Sequence, residues 1–217
     1  MPPLTQALNE IDDWIDHSQS WHALHIRQNA APVYGAHPGL ERAIIDLYAE
    51  ECRFCFSEEV YELYQWHDGN ILMGEMANPI SLSSLDHAMS LMIQGHVPYR
   101  PYLPLFVGDD AYYVIPQAVA GQATSPIFFF DGRIMPGDTK PIWGNFCPSF
   151  FAPSITALMQ AMAECIKTYD GISAEYMRMD DANKELDIYL DHTYNLSILT
   201  PIYQKYGVVG TAAGLWR

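Results

Sequence analysis

The order of hydrophobic patterns predicts an α+β fold: a mainly antiparallel sheet flanked by helices, with extra helices at the N- and C-terminal ends. Two observations carry this expectation. Apolar residues recur at helical spacing in the first 95 residues and again after residue 150. Between these regions the pattern gives way to short apolar runs, separated by Gly- and Asp-containing turns.

The first helix is expected from about Thr5 to Asp16, with Leu4, Leu8, Ile11 and Ile15 on one stripe and Thr5 as its cap. A short helical or irregular stretch follows at Trp21–Ile26, and His37-Pro38-Gly39 breaks the chain in a loop. Leu40, Ile44, Leu47, Tyr48 and Glu51 mark the next helix, whose other face carries Glu41, Arg42, Asp46 and Glu50. After the Cys52–Phe56 linker, Ser57 is expected to cap a further helix, with Glu58 and Glu59 at its positive end. Val60, Leu63, Tyr64 and His67 form its apolar side, and Gly69 stands where a left-handed C-terminal residue is wanted. A helix over Leu82–Gln94 aligns Leu85, Met89 and Met92.

The sheet comes next. Tyr102–Val107 and Ala111–Ile115 flank Gly108-Asp109-Asp110 and read as a hairpin. Pro126–Phe130 is another strand, followed by the Asp131-Gly132 turn and Arg133–Met135, and Lys140–Phe146 adds an edge strand. A long helix then places Ile155, Leu158, Met159, Met162, Ile166 and Tyr169 on its stripe, with Gly171 after its end. Asp180–Leu190 is a further helix, and Thr200-Pro201 opens a short last one.

With 217 residues, the chain has room for one well-buried domain or two very small ones. Its 11 Lys+Arg against 26 Asp+Glu give a net charge of −15. Acidity on this scale argues against a nucleic-acid surface, which needs a basic face, and disfavours anionic lipid. No apolar run approaches a membrane span of roughly 18 residues, and the polar N-terminus does not read as a signal peptide. A cytoplasmic protein is expected. Residues 1–70 hold 12 acids against three bases, so the charge is concentrated at one end.

Phe56-Ser57-Glu58-Glu59-Val60-Tyr61-Glu62-Leu63-Tyr64-Gln65-Trp66-His67-Asp68-Gly69, preceded by an amphipathic helix and a short linker, resembles the SUKH superfamily. That group includes fungal cell-wall-assembly regulators and bacterial immunity proteins. Leu63, Trp66, His67, Asp68 and Gly69 resemble its signature, a helix ending in a Leu-x-x-x-[Trp/Ile/Leu]-His-[Asn/Asp]-Gly-like stretch, with two residues here rather than three between Leu63 and Trp66. The Leu103–Asp110 hairpin, the Phe128–Gly132 strand and turn, and the Ser149–Lys167 helix resemble later elements of the family core. The Cys52–Phe56 linker departs from the family's usual Gly-x-x-Leu-Pro. The resemblance implies a single domain: a core over 39–171, an N-terminal extension over 1–38 and a C-terminal helical extension over 172–217.

The sequence names no chemistry. His67 and Asp68 point about 100° apart on a helix and cannot easily form a dyad, so Trp66 and His67 are expected to pack on the sheet while Asp68-Gly69 ends the helix. Cys52-x-x-Cys55 has no second Cys pair to complete a zinc site, and His22 and His25 make a weak ligand pair. No phosphate-binding glycine loop occurs. Neither a catalytic residue, nor a metal, nor a cofactor is expected.

What remains is surface. Glu58, Glu59 and Glu62 lie opposite the expected apolar stripe, Glu41, Asp46 and Glu50 do likewise on the preceding helix, and with Asp109-Asp110 at a hairpin tip they are the candidate partner-binding face. The expected function is a non-enzymatic protein-binding module. The resemblance implies an immunity protein neutralising a basic, nuclease-type toxin. A regulatory scaffold resembling the cell-wall-assembly regulators is the alternative, and an enzyme the third reading.

Overall fold

The computed structural model describes residues 2–18, 38–69, 72–73, 80–93, 102–108, 111–119, 121–131, 148–179 and 192–209. Its elements are α1 (Pro3–His17), α2 (Arg42–Cys52), α3 (Glu58–Trp66), β1 (Leu72–Met73), β2 (Ile80–Leu82), α4 (Leu85–Ile93), β3 (Tyr102–Gly108), β4 (Ala111–Pro116), β5 (Ile127–Asp131), β6 (Ser149–Ala152), α5 (Ile155–Met179) and α6 (His192–Lys205). The class is α+β. The chain divides into two compact units, one with α1, α6 and α5 beyond its first residue, the other with α2–α4 and the sheet.

In the second unit the six strands pair in chain order, each antiparallel to the next. The expected hairpin is present, with Gly108 paired to Ala111. Alternation along the strands sorts the aromatics onto two faces. Tyr113 packs against Phe129 and Phe151, with ring centroids at 5.5 and 4.8 Å. Phe128 meets Tyr102 and Phe150 at 5.9 and 6.0 Å. α4 packs on β3 and α2 packs on α4 and α3, around a core that includes Ile45, Leu63, Tyr64, Leu85 and Phe106.

In the first unit α1 buries Leu4, Ala7, Leu8, Ile11 and Trp14, close to the expected stripe. It starts at Pro3, where a missing N–H costs nothing, so Pro2 rather than Thr5 occupies the cap. α5 buries Leu158, Met159, Met162 and Cys165. Lys167 pairs with Glu10 at 2.9 Å, and Glu164 accepts from Lys205 Nζ and the Tyr206 hydroxyl, each at 2.6 Å.

Several expectations are corrected. Ser149–Ala152 is a strand bonded to β5, so the closing helix starts only at Ile155. That helix continues through Gly171 to Met179, since one glycine weakens a helix by only about 1 kcal/mol. Pro201 lies inside α6 rather than at its start. Leu82 belongs to β2, because it pairs with Phe106. The expected elements at 21–26, 133–135, 140–146 and 180–190 lie outside the described residues.

Candidate functional site

α3 is best understood from its first turn. Ser57 does not cap it through its hydroxyl; that group is buried 2.6 Å from the hydroxyl of Ser125, while the Ser57 carbonyl accepts from Val60 and Tyr61. Glu58 is 64% exposed but engaged: Arg42 on α2 donates two hydrogen bonds to it, each 2.9 Å. The guanidinium also lies 4.0 Å from the centre of the Tyr61 ring, and the Tyr61 hydroxyl donates to Asp46 at 2.8 Å. These contacts fix α2 beside α3. The Arg42 hydrogen bonds lower the Glu58 pKa, while burial, then Asp46, push the Tyr61 phenol up to about 12.

Glu59 contradicts its expected place on an exposed face. It is 5% exposed, and one carboxylate oxygen accepts from the backbone N–H groups of Ser125 at 2.7 Å and Ile155 at 3.1 Å. Ile155 is the first residue of α5, where donors lack helical partners and negative charge is favoured. Glu59 is therefore a cap supplied from elsewhere in the chain. Glu62 is half-buried, and Asp109 and Asp110 lie outside the described residues. Among the described acids chosen from sequence, Glu58 is ion-paired and Glu59 is buried, so neither is a free surface charge.

The other end of α3 works in the same way. Leu63 is core, but Trp66 and His67 are half-buried, with rings edge-on at 4.5 Å. His67 is not on the helix stripe: its backbone is extended at φ −147° and bridges Pro38. There the chain needs Gly39, because a Cβ would overlap the Gln65 carbonyl. Leu40 N–H then donates to the Tyr64 carbonyl at 2.8 Å, occupying one of the last acceptors of α3.

Asp68 accepts from Leu85 N–H at 2.7 Å, capping α4, and Ser84 Oγ accepts from His87 N–H at 3.2 Å. Gly69 has the expected positive φ, +86°, but three residues beyond the helix end. A Cβ there would stand 2.5 Å from the Ser84 nitrogen. Asp68 and Gly69 thus form a joint that seats α4 rather than a simple helix stop.

The linker is held by Ala118 N–H donating to the Cys55 carbonyl at 2.9 Å, with Phe54 buried. Cys52, Cys55 and Cys165 are free thiols. Burial raises the Cys52 pKa and pushes Cys165 up to about 12. Among the described residues no three His, Cys, Asp or Glu side chains gather as a metal-binding group. No helix among them is long and apolar enough to cross a membrane.

The sequence misplaced the face of α2. Ile45 is its buried residue, while Ile44 and Leu47 are 39% and 61% exposed. The helix is phased by Arg42, Asp46 and Ile45, which meet α3 and the core. Adjacent isoleucines at 44 and 45 offered a second phase in the sequence, and that is the one adopted. Tyr48, Glu51 and Cys52 on α2 and Asp86, Met89, Ser90 and Ile93 on α4 line a groove of about 190 Å³. Burial first, then Asp86, Asp68 and Glu51, raise the Tyr48 pKa. Its lining joins the apolar Met89 and Ile93 to the carboxylates of Glu51 and Asp86. Compared with known protein families and with characterised proteins, the chain gives no match.

Proposed function

We propose that this chain is a non-enzymatic protein-binding module of SUKH type, which neutralises a basic, nuclease-type toxin by covering its positively charged active site. One observation carries the reading. From residue 41 to 93 the chain has ten acids against Arg42 and Arg53 and no lysine. After Glu58 is paired and Glu59 buried, Glu41, Glu50, Glu51 and Asp86 still stand exposed on and beside α2 and α4. Such a surface attracts a basic partner and repels nucleic acid, the partner's own substrate. The α3-to-Gly69 motif supports the SUKH assignment by resemblance.

The experiment is affinity capture from the host lysate, followed by titration of the captured protein's nuclease activity with the purified chain. A stoichiometric end point, with association slowed strongly by added salt, is expected. The probe variant is Glu50→Lys/Glu51→Lys, because both residues are exposed. Reversal of Glu58, Glu59 and Glu62 would instead break an ion pair and bury a lysine. Several weak partners and no inhibition would replace the immunity reading with the regulatory scaffold. A salt-insensitive association rate would remove the acidic face from either.

A further inference from the structure

The groove between α2 and α4 has a regular construction. On α2, Tyr48 and Glu51 line it, and Ile44 and Leu47 stand one turn before them, so the four follow at i, i+3, i+4 and i+7; on α4, Asp86, Met89, Ser90 and Ile93 line it at the same spacing. Each series is one side of one helix. Ile93 is 55% exposed at the end of its series, as Ile44 and Leu47 are along theirs. α2 therefore carries two exposed aliphatic side chains, Ile44 and Leu47, and α4 one, Ile93, and each helix an exposed carboxylate, Glu51 on α2 and Asp86 on α4. Among the described residues, no Lys or Arg lines the groove.

We infer that this groove docks an amphipathic basic helix of the partner protein, an inference that rests on the basic-partner reading and gives it a place and a shape. Two helices present side chains but no free backbone edge, so an extended peptide would find no ladder of hydrogen bonds here. A helix finds a groove matched to anchors at i, i+3, i+4 and i+7. Its apolar stripe meets exposed Ile93 on α4 and exposed Leu47 on α2, one turn before Glu51, and flanking lysines or arginines meet Glu51 and Asp86. A second copy of this chain is a poor occupant, because a two-fold contact would set each acidic rim against its own image.

The probe is a fluorescein-labelled synthetic helix of roughly four turns, about 14 residues, with leucines at i, i+3, i+4 and i+7 and lysines elsewhere. Its binding to the full chain is followed by anisotropy at low salt. A scrambled peptide of identical composition should bind about 10-fold more weakly or worse, because it lacks the stripe. Leu47→Lys and Ile93→Lys should each weaken the amphipathic peptide by about 10-fold or more, with circular dichroism unchanged because both side chains are exposed. Equal binding of the two peptides would overturn the groove while leaving the acidic-surface reading standing. So would parental binding by both variants. A chain that binds neither peptide and sediments as a dimer, dispersed by Leu47→Lys, would show that a second copy covers this face. The inhibition titration judges the basic-partner reading separately.

Discussion

Replacing Glu59 with alanine tests whether this carboxylate is a cap or a surface charge. The side chain accepts from two backbone N–H groups, on Ser125 and Ile155, and both of those residues are buried. Glu59→Ala removes the acceptor from both. A buried donor left without a partner costs about 1–3 kcal/mol, so the pair costs about 2–6 kcal/mol. Loss of negative charge at the start of α5 adds about 0.3–1 kcal/mol. With a urea slope of about 2 kcal/mol per molar, the midpoint should fall by about 1–3 M. Glu59→Gln keeps an acceptor oxygen and should lose about 1–2 kcal/mol, the charge-assisted part of the bonds. Glu58→Ala, at an exposed ion pair, should lose less than about 1 kcal/mol. Urea melts followed by far-ultraviolet circular dichroism compare the three variants. Amide exchange at Ser125 and Ile155 gives a local reading, and both amides should lose protection in Glu59→Ala. Parental protection at those amides, or a midpoint unchanged beside that of Glu58→Ala, would refute the cap and return Glu59 to the surface.

Gly69→Ala should destabilise by about 1–3 kcal/mol in the same melts, since it strains a left-handed residue and drives a Cβ toward the Ser84 backbone; an equal midpoint would mean that the joint can relax. Asp68→Ala should cost about 1–2 kcal/mol and speed exchange at the Leu85 amide, because α4 loses a cap at its first residue. Acid should weaken the fold in a definite direction. Hydrogen bonds from Lys167, Arg42 and Lys205 depress the pKa values of Glu10, Glu58 and Glu164, so their contributions are present above the ordinary 4.5 and are lost as pH falls through the lowered values. Melts from pH 6 to pH 3 should show the loss only below about pH 5, with a shallower slope in Glu58→Gln. Native alkylation at pH 8 should modify exposed Cys55 and spare Cys165, whose thiol burial holds near 12; mass spectrometry of the labelled peptides decides it.

Local chemistry made much of this architecture legible. The α1 stripe, the α4 stripe at Leu85, Met89 and Met92, and the strands either side of Gly108 each follow from a period that a short segment carries by itself. The excess of acids and the positive φ of Gly69 were also visible in the sequence. The two-residue strand β1 and three-residue strand β2 were not, because strands this short take their identity from the neighbours they pair with.

The roles of the acids needed the tertiary structure. In the sequence Glu58, Glu59 and Glu62 are alike, and helical spacing places them away from the apolar stripe. What separates Glu58 from Glu59 is a partner distant in the chain: Arg42, 16 residues away, for one, and Ile155, 96 residues away, for the other. Asp68 is tied in the same way to Leu85. The phase of α2 was decided similarly, since Ile44 and Ile45 are equally apolar and only packing against α3 and α4 chose which to bury. The sequence by itself determined which segments could be helix or strand and how much negative charge they carry, because those properties are set within a few residues. Which carboxylates became caps, and which aliphatic side chains were left facing solvent, was decided by contacts between segments far apart in the chain, where an unpaired buried N–H costs more than an exposed leucine.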